Sequence, residues 1–332
     1  MAGGSSNNPL KVVLVALVGN GLIAVAKFVA YTFTGSSAML AEAVHSVADT
    51  GNQVLMVLGI KRAQKPPDQQ HPYGYGKETY FWSFVVALSI FVLGSAYALY
   101  EGVHKLLVLS HETTGGGIEN PAWGFSVLGV SLLLEGAVWL VAIKAFWATK
   151  GVRTLRVAFA EGREASLITV LFEDTAAVLG LLVALIGFGL TVVTGNPIYD
   201  AVATVLIGVI LFVVAVFLGA MTKKLLIGRG ANPSQEAAIE TIVLAVDGVE
   251  SIVEIKTLHM GADYILLNLG IAFRRDLQTQ QLEAIIDRIE RDVKAEVPTV
   301  QRIFIEADSF RRRADEADSP DVVPDNDEED AR

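Results

Sequence analysis

Six long runs of apolar residues, all before residue 222, constrain the fold of this chain more than any other feature. A run of about 18 or more apolar residues can cross the hydrocarbon core of a bilayer as a helix. We therefore predict membrane helices near residues 10–34, 38–60, 79–104, 123–147, 165–193 and 198–222. Only 19% of the residues are charged, and most of these lie outside the runs. The chain is expected to be a polytopic membrane protein. A secreted enzyme, a nucleic-acid-binding protein and a disordered scaffold are poor interpretations.

The charges between the runs predict the orientation in the membrane. The first and second helices are joined by TGSS, and the fifth and sixth by TGNP, both short and uncharged. The segments that follow the second, fourth and sixth helices contain Lys61, Arg62, Lys65 and Lys77, then Lys150, Arg153, Arg156 and Arg163, then Lys223, Lys224 and Arg229. Positive residues favour the cytoplasmic side, so both termini are predicted to be cytoplasmic. In a prokaryote the membrane would be the cytoplasmic (plasma) membrane.

Beyond residue 230 the composition becomes that of a soluble α+β domain. Its pattern predicts a helix, two strands, an amphipathic helix and a last strand, at 234–245, 251–259, 264–273, 277–296 and 300–306. This αββαβ order suits a small ferredoxin-like or metallochaperone-like fold with its helices on one face of the sheet. We expect a short tail at 1–9, a six-helix membrane domain at 10–225, the αββαβ domain at 230–308 and a disordered acidic tail at 309–332.

Ionisable residues inside two of the predicted membrane helices point to metal chemistry. His45 and Asp49 are four residues apart, which places them on one face of the second helix, and Glu173 and Asp174 lie within the fifth. Each such residue costs about 2.5–3.5 kcal/mol at the centre of a membrane helix, so a function is expected. Imidazole and carboxylate groups together suit zinc and similar divalent ions. The pattern predicts a metal site formed by His45, Asp49 and Asp174; interhelical hydrogen bonds or a metal-free proton relay are the alternatives.

The remaining polar positions leave other possibilities open. The chain has no cysteine, which excludes thiolate metal sites. Lys27 in the first helix either extends toward the membrane surface or pairs with a carboxylate. The fourth helix contains Glu135, another ionisable residue within a predicted membrane helix.

The second helix and the segment after it resemble the cation diffusion facilitators. The residues that carry the resemblance are SSAMLAEAVHSVADTGNQ and HPYGYGKE, within a matching architecture over about residues 10 to 308. The resemblance implies a homodimeric transporter that exports Zn²⁺ or a similar divalent ion from the cytoplasm in exchange for H⁺. It assigns transport to residues 10–225 and dimerisation to the cytoplasmic domain at 230–308. It implies alternating access and no cofactor beyond the transported ions.

The resemblance also implies a set of ligands with one position in question. His45, Asp49 and Asp174 match the family's transport site, whereas Val170 stands where the family has a fourth ligand. Glu173 is the nearest substitute, because a long helical side chain leans toward the preceding turn and can cover the place of residue 170. Rival fourth ligands are Glu135, Asn20 and water.

Two further regions offer weaker metal sites. Asp68 and His71, three residues apart after the second helix, match part of a second site known in the family, but Tyr75 replaces its other histidine. In the soluble domain, His259 is the only histidine, and the last strand offers only Glu306 and Asp308. We therefore favour a dimerisation surface over a metal sensor for this domain.

A Zn²⁺/H⁺ antiporter is the favoured function, with two rivals. A carrier of Mn²⁺, Fe²⁺ or Co²⁺ is possible because a site with one histidine is richer in oxygen, which favours harder ions. A membrane metal sensor that binds without transport is the other. An enzyme is a poor interpretation, since neither the HExxH motif of a metalloprotease nor a phosphate-binding GxxxxGK[ST] loop is present.

Overall fold

The computed structural model describes residues 9–35, 37–111, 121–150 and 165–307. They form two compact units that divide between Ile227 and Gly228. The predicted acidic tail at 309–332 lies outside the described residues, as does most of the basic segment after the fourth helix.

The first unit consists of long helices. These are α1 (Pro9–Thr34), α2 (Ser37–Ala63), α3 (Glu78–Ser89), a π-helical segment (Ile90–Ala96), α4 (Tyr97–His111), α5 (Pro121–Lys150), α6 (Ala165–Thr194) and α7 (Ile198–Ile227). The segments from Glu78 to His111 correspond to the third predicted membrane helix, and α5, α6 and α7 to the fourth, fifth and sixth. The helices begin and end within a few residues of the predicted bounds, except that α4 continues to His111, past the predicted 104, and α7 to Ile227, past the predicted 222.

Five helical spans in the described part of the chain are long and apolar enough to cross a membrane. They lie in α1, in α3 with its continuation through α4, and in α5, α6 and α7. The second predicted span, α2, is 27 residues long but is not among them. Its middle holds His45, Asp49, Asn52 and Gln53, which lower its mean hydropathy. Thus the least apolar of the six predicted membrane helices carries two of the predicted ligands, His45 and Asp49.

The two uncharged connections form tight turns for the same physical reason. Gly35 ends α1 at φ 62° and Gly195 ends α6 at φ 68°, a left-handed conformation that is cheap for glycine. The amide of each glycine donates to the carbonyl four residues earlier, Tyr31 and Thr191, at 2.8 Å. Each turn returns the chain alongside the helix it has just left, so α1 packs on α2 and α6 packs on α7.

The packing of the helices brings the predicted ligands toward one region. Helix α1 packs on α2 and α5, and α6 packs on α2, α5 and α7. The core between the helices is apolar and includes Leu128, Leu181, Phe188, Leu211 and Leu218, each at most 1% exposed. Buried polar residues interrupt this core on α1, α2, α5 and α6.

The second unit confirms the predicted αββαβ order. Its elements are α8 (Pro233–Leu244), β1 (Val249–Gly261), β2 (Tyr264–Phe273), α9 (Thr279–Glu296) and β3 (Val300–Ala307). The sheet order is β1-β2-β3, with β1 antiparallel and β3 parallel to the central β2. Alternate residues of β2 form a fully buried row, Ile265, Leu267, Leu269 and Ile271. They pack with Ile239 and Val243 of α8 and with Ile289 and Val293 of α9.

Candidate metal centre

The α2 part of the site is a buried histidine and carboxylate. His45 and Asp49 are 2% and 3% exposed, and the His45 Nδ1 lies 3.3 Å from the Asp49 Oδ1. One helical turn separates the two residues, so the pair arises from the helix alone. The other ring nitrogen of His45, Nε2, has no hydrogen-bond partner among the residues the structure describes.

Glu173 of α6 reaches across to this pair. Its Oε1 accepts a hydrogen bond of 2.8 Å from Asn52 Nδ2, and its carboxyl group interacts with the nearby carboxyl group of Asp49. Because two ionised carboxylates repel each other, this arrangement favours a shared proton or a bound cation. One polar cluster thus lies between α2 and α6, formed by His45, Asp49, Asn52 and Glu173.

Asp174 lies beside these polar residues. It is 7% exposed and interacts electrostatically with Glu173 and with Glu135 of α5. Its Oδ2 has no hydrogen-bond partner in the described part of the chain. Val170, one turn earlier on α6, packs against the apolar core, so it contributes volume and no ligand.

Unpartnered polar atoms are concentrated at this site. Within the described residues they include His45 Nε2, Asp49 Oδ1, Glu135 Oε2 and Asp174 Oδ2. A buried polar atom without a partner costs about 1–3 kcal/mol, so such atoms are characteristic of positions that receive a ligand. However, across residues 9–35, 37–111, 121–150 and 165–307, no group of three His, Asp or Glu side chains is arranged to hold a metal ion. The ligand set therefore stays a prediction.

The structure resolves the question left open for Lys27. Its Nζ donates to Ser46 Oγ at 2.8 Å and to Glu135 Oε1 at 2.9 Å, inside the bundle. Lys27 therefore pairs with a carboxylate and does not extend to the membrane surface. Glu135, one rival fourth ligand, has one of its oxygens engaged by this lysine.

The loop between α2 and α3 brings Asp68 and His71 together. The Asp68 Oδ1 accepts hydrogen bonds from the amides of Gln70 and His71 at 3.0 and 2.7 Å, and it lies 3.6 Å from His71 Nδ1. The hydroxyl of Tyr75, at the position of the missing histidine, donates to Asp68 Oδ2 at 2.5 Å. Three donors thus organise the loop around the same carboxylate that the predicted second metal site would use.

We expect Tyr75→Phe to raise the pKa of Asp68. The Tyr75 hydroxyl is the main reason that the pKa of Asp68 lies below its usual value, with the His71 amide next. Since that pKa is depressed, the loop contacts are favoured above the usual Asp pKa and weaken as the pH falls through the lowered value. A carboxyl-detected NMR titration of the full chain, with Asp68→Asn for assignment, measures the change. Tyr73→Phe in the same loop is the control and should leave the titration of Asp68 unchanged.

The soluble unit does not bring its candidate ligands together. His259 of β1 is opposite Ile265, and Glu306 of β3 is opposite Gly270, five residues further along β2. At about 3.3 Å per residue the two side chains are roughly 16 Å apart along the sheet. The third candidate, Asp308, lies outside the described residues.

Sequence reasoning missed Asn52, which contacts Glu173, and Gln53, which is buried beside it on α2. Asn52 and Gln53 of α2 are 1% and 2% exposed, and they lie three and four residues after Asp49. That spacing continues the face that carries His45 and Asp49, so helical periodicity was the signal that could have identified them.

Comparison with known proteins agrees with this architecture. Residues 13–227 match the family described as the cation efflux transmembrane domain, and residues 231–310 match the cation efflux protein cytoplasmic domain. The human protein named proton-coupled zinc antiporter SLC30A9, mitochondrial, is 34% identical over 292 residues, which cover 85% of this chain and 50% of that protein.

Two other relatives cover more of their own length. Metal tolerance protein C4 of Arabidopsis thaliana is 30% identical and covers 90% of this chain and 73% of the relative. The manganese efflux system protein MneP of Bacillus subtilis is 26% identical over a match that covers 90% of this chain and 96% of the relative.

The chain spans half the length of the zinc antiporters that it matches. The transmembrane family model nevertheless covers well over half of this chain, and the cytoplasmic model covers most of the rest. The resemblance inferred from the α2 motif is therefore confirmed, and the chain belongs to the cation efflux family of transporters.

Proposed function

We propose that this chain exports a divalent metal ion, most simply Zn²⁺, in exchange for protons. The observation that carries the proposal is the buried set of ionisable side chains between α2 and α6, formed by His45, Asp49, Glu173 and Asp174. Ionisable groups are costly inside an apolar bundle, so a cluster of four points to a function. The printed name of the SLC30A9 relatives, proton-coupled zinc antiporter, supports the same function.

The donor set suits the proposed ion. An imidazole nitrogen and carboxylate oxygens at about 2.0–2.2 Å are common zinc ligands in a tetrahedral arrangement. His45 Nε2, Asp49 Oδ1 and Asp174 Oδ2 have no hydrogen-bond partner in the described structure, so binding a cation would satisfy them. Glu173 is the proposed fourth ligand, since it already contacts Asp49.

Protons and metal compete for the same atoms in this scheme. Metal binding needs a neutral imidazole and ionised carboxylates, so each ion that binds releases protons. Repulsion between the neighbouring carboxyl groups of Asp49 and Glu173 favours a proton on the pair when no metal is bound, which makes the pair a natural exchange point. In a cytoplasm-facing state the metal displaces protons, and in an outward-facing state protons displace the metal. A proton gradient can then drive export by alternating access.

The proposal includes an orientation and an assembly. The lysines and arginines in the last turns of α2 and α7 and in the segments that follow them favour cytoplasmic termini by the positive-inside rule. The second unit would then be cytoplasmic, and we propose that it joins two copies of the chain as a homodimer. The match of residues 231–310 to a cytoplasmic domain whose family model is called ZT_dimer supports this assembly.

A manganese carrier is the second candidate. Val170 removes one possible histidine from the site and leaves one imidazole with several carboxylates, a set that suits harder ions better than a two-histidine site does. The printed name of the MneP relative, a manganese efflux system protein, agrees with this possibility.

Metal uptake by proteoliposomes tests the proposal. The full chain is reconstituted into vesicles with an acidic interior that contain a metal-sensitive dye, and Zn²⁺ or Mn²⁺ is added outside. We expect Zn²⁺ entry that follows the size of the pH gradient, because outward movement of protons drives the exchange. Zn²⁺ entry should stop when an ionophore collapses the gradient.

Protein-free vesicles of the same lipid composition provide the control. Mn²⁺ entry that exceeds Zn²⁺ entry would replace the first candidate with the second. Zn²⁺ binding without entry of either ion would overturn transport and support a membrane metal sensor.

A further inference from the structure

A fully buried lysine lies beside the proposed transport site. The Lys27 side chain on α1 is 0% exposed, and its ammonium group donates to Ser46 on α2 and Glu135 on α5. Ser46 directly follows the candidate ligand His45. One lysine therefore links three helices at the level of the site.

Stability alone is a poor reason for this arrangement. Removing two charges from water is so expensive that replacing a buried ion pair by apolar residues is often neutral or stabilising. Apolar side chains such as Leu128 on α5 make up most of the core around this pair. A charged pair in this position points to an electrostatic role.

The charges of the pair act on the candidate ligands. The charge of Lys27 acts on His45 and Asp49, and the charge of Glu135 acts on Asp49 and Asp174. Both members of the pair are therefore close enough to change how strongly the site attracts a cation.

Glu135 is chemically a possible metal ligand. Lys27 engages its Oε1, while its Oε2 has no hydrogen-bond partner among the described residues. Without Lys27, an additional buried carboxylate would be available near the site.

We propose that Lys27 and Glu135 form a positioning pair that sets the metal affinity and selectivity of the transport site. Lys27 holds Glu135 away from the ligand set and supplies a fixed positive charge that weakens cation binding enough to permit release. An extra oxygen ligand would favour Mn²⁺ over Zn²⁺, so the pair also protects zinc preference. This inference rests on the proposed function.

Metal binding by charge variants tests the proposal. Zn²⁺ and Mn²⁺ titrations by calorimetry use the full chain in nanodiscs at fixed pH, for wild type, Lys27→Met, Glu135→Gln and the double variant. A unit charge several ångströms from a divalent cation at an effective dielectric constant of 20 predicts about tenfold or larger changes in Kd. We expect Lys27→Met to tighten Zn²⁺ binding and Mn²⁺ binding still more, Glu135→Gln to weaken both, and the double variant to return near wild type.

Changes in metal affinity of opposite sign for the two single variants distinguish this role from a structural one. If the pair only held the helices together, both single variants would lower thermal stability and neither would tighten binding. Lys27→Gln, which removes the charge but can still donate to Ser46, is a second variant in case the methionine variant does not fold. Lys105→Met is the control, since it removes a lysine from another interhelical ion pair, Lys105–Asp200 at 2.9 Å.

The outcomes distinguish this inference from the function on which it rests. Wild type that binds no Zn²⁺ contradicts the proposed function and this inference together. Wild type that binds Zn²⁺, with Kd changes in the same direction for both single variants or within about twofold of wild type, overturns the positioning pair alone. If Kd falls in Lys27→Met, rises in Glu135→Gln and returns near the wild-type value in the double variant, the positioning role of the pair is established.

Discussion

Replacing Glu173 with glutamine is expected to weaken Zn²⁺ binding by about 100-fold. Removing a residue that only supports a metal ligand lowers metal affinity by about 10–100-fold, and removing a ligand itself should reach at least the upper end of that range. The substitution keeps the size of the side chain and its contact with Asn52, but removes the carboxylate from the contact with Asp49. Asp174→Asn should produce a loss of similar size. Calorimetric titration of the full chain in nanodiscs measures both, and proteoliposome uptake should fall in parallel.

Two comparisons make this result interpretable. Asn52→Ala leaves Glu173 ionisable but removes the 2.8 Å hydrogen bond that positions it, so the loss should be smaller, about tenfold. Glu101→Gln removes a carboxylate from α4 and should leave Zn²⁺ binding unchanged. If Glu173→Gln binds Zn²⁺ like wild type while Asp174→Asn does not, Glu173 is not a ligand, and Asn20 or water becomes the candidate.

The helices could be predicted from sequence because apolar runs and glycine turns determine them locally. The turns at Gly35 and Gly195 limit α1 and α6 to within one residue of the predicted ends. The third predicted helix was too short: it was predicted to end at residue 104, whereas apolar residues continue to Leu109 and the helix to His111. This part of the helix also packs against α7: Gly102 lies against Ala201 and Val205, and Lys105 pairs with Asp200.

The site could be predicted only where its residues share a helix. The spacing of His45 and Asp49 was enough to place them on one face of α2. The contacts that complete the region join positions far apart in the chain: Asn52 and Glu173 are separated by 121 residues, and Lys27 and Glu135 by 108. No periodicity determines which helices are neighbours, so the partner of Lys27 stayed open until the packing of α1 on α5 was known.

The second large effect is expected at the contact between α6 and α7. Gly187→Ala should destabilise the membrane unit because the new methyl group would meet the Ala203 methyl group and lie 2.9 Å from the Tyr199 carbonyl oxygen. A backbone oxygen cannot rotate away as a side chain can, so the two helices must separate. Overpacking of this kind costs about 1–3 kcal/mol, more than the roughly 0.5–1 kcal/mol that alanine gains over glycine inside a helix. Thermal unfolding in detergent, followed by circular dichroism, should show a lower Tm.

Gly189→Ala is the matched control, because it is the same change two residues further along the same helix. There the methyl group would lie 3.7 Å from the Phe125 ring, an ordinary van der Waals distance. The gain in helix propensity then has no opposing clash, and the Tm should be equal to or higher than that of wild type. If both variants lower the Tm equally, the loss reflects glycine's flexibility within α6. If only Gly187→Ala does so, close approach of α6 and α7 is what the glycine permits.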